Sequence, residues 1–164
     1  MSEKIPFVTK EQLEDIASRY ATPFYLYDEK GIRETARRVN KAFSWNKGFK
    51  EYFAVKATPT PGILKILHEE GCGADCSSYT ELLMADAVGF KGDEIMFSSN
   101  DTPAEDFQLA RKLNATINLD DITHIDFLER VADIPDTVCC ATTRAGILPL
   151  PTTLWITRAT PNMA

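Results

Sequence analysis

The stretch Lys50–Ser78, "KEYFAVKATPTPGILKILHEEGCGADCSS", reads as strand, helix, strand. "KEYFAVKA" is a β-rich run, Pro61 opens the helical run "PGILKILHEEG" and Gly71 closes it, and "GADCSS" is a second short strand. The pattern continues in both directions. Upstream, after "TPFYLYD", the run "EKGIRETARRVNKAFSW" has apolar residues at Ile32, Ala36, Val39 and Phe43, the spacing of an amphipathic helix. Downstream, Ser78 or Thr80 can cap "ELLMADAVG", and "DEIMFSSN" is a strand. "TPAEDFQLARKLN" predicts a helix with Thr102 as N-cap and Pro103 at its first position. "ATINLDD", "ITHIDFLERVAD" and "DTVCC" then read as strand, helix and the start of a fifth strand. Strands separated by helices of about 10 residues are the mark of parallel βαβ units, so the fold class is α/β. No G-x-G-x-x-G follows the first strand and no G-x-x-x-x-G-K-[ST] occurs, which argues against dinucleotide and nucleoside triphosphate sites. The remaining parallel architecture with active residues at strand C-terminal ends is the (β/α)8 barrel, which takes about 250 residues. The chain is expected to hold about the first five strands of one.

Composition narrows the partners. With 44% hydrophobic and 26% charged residues the chain is ordinary globular material, and a net charge of -6 gives no basic face for nucleic acid. No apolar run approaches the roughly 18 residues of a membrane span, and the charged start "MSEKIPFVTKEQLED" has no signal-peptide core, so a cytoplasmic location is expected. Cys72, Cys76, Cys139 and Cys140 are then expected as reduced thiols. His68, Cys72 and Cys76 share a spacing of four, but Gly71 and Gly73 interrupt any common helix and a fourth ligand is missing; no metal is expected.

Lys56 ends the apolar run of the first strand. By period-two alternation Phe53 and Val55 point one way, and Tyr52, Ala54 and Lys56 the other. A lysine leaving a barrel strand at its C-terminal end, between the small Ala54 and Ala57, can have its ammonium desolvated so that the free amine condenses with a carbonyl. A lysine that only extends its charge into water from a strand end has the same local sequence. Asp75 ends the second strand, Glu81 follows six positions later, and both could face a pocket above Lys56. A loop carboxylate and a first-turn helix carboxylate are the structural alternatives for this pair. "FSSN", residues 97–100, ends the third strand with three small polar groups, the composition of a turn and helix cap.

"TPFYLYD", "EYFAVKATPTP", "GCGADCSSYTEL" and "IMFSSNDTP" together resemble the N-terminal half of the pyridoxal-phosphate-dependent decarboxylases with an alanine-racemase-like barrel, most closely the diaminopimelate decarboxylases. The resemblance covers about Tyr20 to Cys140. It implies that Lys56 is the lysine that holds pyridoxal 5'-phosphate, that Asp75 is the carboxylate close to that lysine and cofactor, that Glu81 is a second acidic residue nearby, and that Ala54 lies beside the ring. It implies an amino-acid substrate, with ornithine, arginine and carboxynorspermidine decarboxylases sharing the barrel, and a homodimeric intact enzyme. A non-catalytic remnant or regulatory partner of a decarboxylase is the alternative.

The expected division is 1–140 as an incomplete cofactor-binding barrel and 141–164 as an aberrant tail. Relatives are longer, with a ring-stacking histidine, a glycine-rich phosphate loop and a pyridinium-pairing glutamate further on, and a cysteine and tyrosine from a second domain. After "DTVCC" the resemblance implies Arg-Tyr-Asn-Pro-Gly-Gly, whereas Ala141–Gly146 reads Ala-Thr-Thr-Arg-Ala-Gly. Codons CGC TAC AAC CCG GGC GG without their first base read GCT ACA ACC CGG GCG G, the first five residues of that second string and the first base of a glycine codon. "TTLWITR" is likewise compatible with Asp-Ile-Met-Asp-Asn-Pro-Gly in the other frame. The tail "ATTRAGILPLPTTLWITRATPNMA" shows no sustained helical or strand period, and Pro149 and Pro151 exclude a regular central strand there.

Overall fold

The chain is described by a computed structural model that covers residues 5–143 and the strand Thr153–Thr157. One sheet carries its strands in chain order: β1 (Tyr52–Ala54), β2 (Gly73–Cys76), β3 (Ile95–Ser98), β4 (Thr116–Leu119), β5 (Cys139–Thr143) and β6 (Thr153–Thr157). Strands β1 to β5 are parallel. Helix α2 (Glu29–Ala42) precedes β1, and α3 (Pro61–Glu69), α4 (Tyr79–Val88), α5 (Ala104–Lys112) and α6 (Thr123–Ala132) make the crossovers. This is the successive order of an α/β barrel, five strands long, as the sequence predicts.

Period two divides the sheet. Ala74, Cys76, Ile95, Phe97, Ile117 and Leu119 are buried with Leu64, Leu82, Phe107 and Leu128 from the helices. Phe97 meets the edge of Phe107 at 6.0 Å between ring centroids. The alternate positions Ala54, Asp75, Met96, Ser98 and Thr116 face the other way and are only half-buried. One face is thus a helix-covered core, and the other, concave in a barrel, carries small and polar side chains.

Local chemistry sets the boundaries. Ser78, of the two candidate caps, accepts from the Glu81 amide at 3.4 Å and starts α4, and Gly89 ends that helix at φ 118. Helix α5 begins one residue later than predicted, at Ala104, with Pro103 in the cap position. The reason is that the Thr102 hydroxyl turns back to donate to the Ser99 carbonyl at 3.3 Å instead of capping the helix. Lys56 does not continue β1. The strand stops at Ala54, and Val55–Ala57 forms a 3-10 turn that buries Val55 completely and leaves Lys56 exposed. Helix α1 (Lys10–Arg19) has no counterpart in the sequence reading. Thr9 and Gln12 cap each other's backbone amides at its start, and none of its residues is buried.

Helix α2 is clamped to α3 by charge above a small apolar cluster of Ala36, Ile63, Leu67 and Cys72. Arg37 grips Glu70 with two hydrogen bonds of 2.6 and 2.7 Å, and Arg33 reaches Glu70 at 3.0 Å and Glu69 at 2.7 Å. Hydrogen bonds from Arg37 and then Arg33 hold the Glu70 carboxyl below its usual range. His68 lies 3.3 Å from Glu94 and packs on Phe90 instead of joining Cys72 and Cys76. Among the described residues no three His, Cys, Asp or Glu side chains are grouped to hold a metal ion.

Beyond β5 the direction reverses. β6 pairs antiparallel with β5, from Cys139 opposite Thr157 to Thr143 opposite Thr153. This corrects the expectation that the tail forms no strand: Thr153–Thr157 begins two residues past Pro151, where the chain regains amides for a ladder. The rest of the 141–164 segment, residues 144–152 and 158–164, lies outside the described residues.

Two substitutions test this packing. An added Cβ at Gly73 would sit 2.5 Å from Tyr52 Cδ1 and 2.8 Å from the Glu94 carbonyl, whereas one at Gly62 meets nothing within 4 Å. Gly73→Ala is therefore expected to lower stability in urea unfolding by about 1–3 kcal/mol, and Gly62→Ala to leave it equal or raise it. Glu70→Gln tests the clamp. A depressed folded pKa contributes stability that is complete above the unfolded carboxyl value and is lost as pH falls through the folded one. The variant should melt below the parent at neutral pH and converge with it in strong acid.

Candidate functional site

The C-terminal ends of the parallel strands bring the chemical side chains together. Ala54, the last residue of β1, is in register with Asp75 on β2, and Asp75 with Met96 on β3. Lys56 follows Ala54 by two residues and places its exposed ammonium at this rim. Its charge reaches the Asp75 carboxyl and lowers its pKa. Ser98, the last residue of β3, donates its hydroxyl proton to Asp75 Oδ1. Burial is nevertheless the dominant influence on Asp75 and leaves its pKa raised, with a further upward push from the Glu81 charge. The result is an amine beside a partly desolvated carboxylate whose ionisation depends on its neighbours.

Glu81 occupies a different position from Asp75. Its carboxylate folds back over the start of α4 and accepts from the Ser77 amide at 2.8 Å and the Ser77 hydroxyl at 3.2 Å. Glu81 therefore shapes the β2–α4 loop while lying near enough to act on Asp75. Asp106, buried on α5, accepts from the Tyr79 amide at 3.1 Å and ties the same helix start to the next helix. Four of the sequence-predicted site residues, Ala54, Lys56, Asp75 and Glu81, thus gather around the ends of β1 and β2.

The structure adds two side chains. Ser98 was legible only as a turn residue, and its partner Asp75 lies 23 positions away. Asn118 is in register with Ser98, only 4% exposed, and its Oδ1 has no hydrogen-bond partner. A polar residue inside the apolar strand "TINL" was the available signal. A separate apolar cavity of about 600 Å³ lies between α2, α3 and β1, lined by Ile32, Val39, Phe53, Ile63 and Leu67, with Glu51 at its wall. It contains neither Lys56 nor Asp75 and belongs to the packing of α2, not to the polar cluster.

Residues 29–145 match the family described as pyridoxal-dependent decarboxylase, pyridoxal binding domain. The chain is 42% identical over 136 residues to protein TabA of Pseudomonas amygdali pv. tabaci, an alignment covering 83% of the chain and 31% of that protein. It is 34% identical over 119 residues to a diaminopimelate decarboxylase of Methanothermobacter thermautotrophicus, covering 72% of the chain and 28% of the relative. The crystal structure of diaminopimelate decarboxylase from Helicobacter pylori complexed with L-lysine superposes with a TM-score of 0.63 at 31% identity, covering 73% of the chain and 30% of that one. The chain therefore spans about a third of the length of the curated relatives it matches.

The donor set at the strand ends fits the family's cofactor. Lys56 offers an exposed primary amine to an aldehyde, Asp75 a carboxylate to a positive centre, and Asn118 a buried amide oxygen that still lacks a donor. The chain belongs to the pyridoxal-dependent decarboxylases, carries part of their pyridoxal-binding barrel, and has pyridoxal 5'-phosphate as its cofactor.

Proposed function

We propose that the chain is the N-terminal part of an amino-acid decarboxylase of the diaminopimelate type, which converts meso-diaminopimelate to lysine and CO2. The observation that carries this reading is the exposed Lys56 amine beside the half-buried Asp75 carboxylate at the ends of parallel strands. The named decarboxylase relatives support the substrate class, and the bound L-lysine of the Helicobacter pylori structure fits the product. A second reading, with ornithine as the substrate, is supported by the likeness to the ornithine decarboxylase of Entamoeba histolytica, 27% identical with a TM-score of 0.66 over 75% of the chain and 39% of that one.

In this reading Lys56 would hold the cofactor through its amine, and Asp75 would keep its carboxylate near that amine. Glu81 keeps the β2–α4 loop in place through Ser77. When bound, pyridoxal phosphate supplies an electron sink for the pair left on the α-carbon as the carboxylate departs as CO2. Ala54, in register with Asp75, contributes only a methyl group at this rim. The half-buried concave face does not exclude water by itself, so the remaining strands of a complete barrel and a second subunit are assigned to closing it. A cytoplasmic homodimer is the corresponding assignment for the whole enzyme; no helix among the described residues is long and apolar enough to cross a membrane.

The tail belongs to the same reading. Residues 141–164 are proposed to be translated out of frame after a single-base deletion near codon 141, and the antiparallel direction of β6 supports this, because a barrel strand following β5 would run parallel to it. Sequencing the gene tests it: the shifted frame should continue into further barrel strands, and a frame without them would overturn the idea.

Two measurements test the function. Borohydride reduction in the presence of pyridoxal phosphate should attach the cofactor to Lys56, found by peptide mass spectrometry, and Lys56→Ala should abolish both this adduct and the visible absorbance of bound cofactor. Attachment elsewhere, or equal absorbance in the variant, would refute the role of Lys56. The 164-residue chain alone is expected to release no CO2 from diaminopimelate, since its concave face remains open; measurable release would show that the missing strands are dispensable.

A further inference from the structure

The Ser98 hydroxyl has one proton to donate, and polar side chains stand on the strands at both its sides. Its register partner Asn118 carries a buried Oδ1 with no donor, yet Ser98 donates instead to Asp75 Oδ1 on the strand at its other side. A carboxylate accepts a stronger hydrogen bond than a neutral amide oxygen. The contact runs diagonally: Asp75 is in register with Met96, two residues before Ser98, so the hydroxyl approaches the carboxyl from the C-terminal side. That is the side on which Lys56 leaves β1.

We propose that Ser98 is a positioning residue that fixes the Asp75 carboxylate within reach of the Lys56 amine, its hydroxyl anchoring Asp75 Oδ1 from the neighbouring strand. The inference rests on the assignment of Lys56 and Asp75 to the cofactor site. Asp75 sits among Lys56 on the turn after β1, Glu81 on α4 and Ser98 on β3. Burial favours its neutral form and the Glu81 charge adds to that; the hydrogen bond from Ser98 and the Lys56 charge oppose it, Ser98 being the larger of the two. The hydroxyl reaches Asp75 Oδ1 from the neighbouring strand and so holds the carboxylate in one orientation independently of Lys56.

The test uses the full 164-residue chain without cofactor, labelled with 13C at aspartate carboxyls, the Asp75 signal being assigned by its loss in Asp75→Asn. Ser98→Ala should raise the Asp75 titration midpoint, and Ser98→Thr, which keeps the hydroxyl, should restore it. With pyridoxal phosphate added, the midpoint of borohydride-trapped attachment at Lys56 against pH should move in Ser98→Ala but not when Asp75 is already Asn. An unchanged Asp75 midpoint in a folded Ser98→Ala chain would overturn the proposal. Should Ser98→Ala fail to fold, a midpoint in Ser98→Thr equal to the parent's supports the proposal, and one displaced by a unit or more refutes it. Absence of any cofactor attachment in the parent, with the carboxyl shift intact, would instead count against the function and leave the positioning role standing.

Discussion

The register between β1 and β2 is the constraint on which the site depends. Pairing Tyr52 with Gly73 and Ala54 with Asp75 puts the carboxylate at the rim where Lys56 emerges. A slip of one residue would turn Asp75 into the helix-covered core and bring Ala74 or Cys76 to the concave face. Gly73 enforces this register sterically, because the Tyr52 ring and the Glu94 carbonyl fill the space a side chain would need. The apolar positions of β2 and β3 enforce it from the other face by burying Ala74, Cys76, Ile95 and Phe97. Hydrophobic burial and one close aromatic contact therefore decide where a polar group stands.

The electrostatics follow from that placement. Near the edge of a partly open sheet Asp75 is desolvated enough for its pKa to rise, but not so far that its neighbours lose influence. An amine, a hydroxyl and a second carboxylate each shift it. A fully exposed carboxylate would be less sensitive to these neighbours, so the partial burial of Asp75 is what lets them act on it. Glu81, by contrast, spends its oxygens on Ser77 and serves the loop more than the rim.

Much of the architecture was legible because its determinants are local. Pro61 and Gly71 punctuate α3, Ser78 caps α4, and period-two alternation marks β3 and β4. Lys56, Asp75 and Ala54 were singled out from strand ends and motif order, and the fold sets them at neighbouring strand ends. The 3-10 turn at Val55–Ala57 was hidden because β-rich sequence says little about where a strand stops when the next residue can be buried another way. Helix α1 escaped because it buries nothing, although the Thr9 and Gln12 spacing of its capping box was on view. Ser98 could not be read because its hydroxyl depends on Asp75, 23 positions away, and β6 because its own sequence shows no strand period and its pairing is set by β5.

The reversed strand has a consequence of its own. β6 meets β5 along five residue pairs, on the edge where a barrel of this kind would place its next parallel strand. Any separate polypeptide offered to complete the sheet would have to evict a segment already tethered to the same chain, at an effective concentration in the millimolar range. β6 thus occupies the edge of β5 that a further parallel strand would need, and such a strand could pair there only after β6 leaves it.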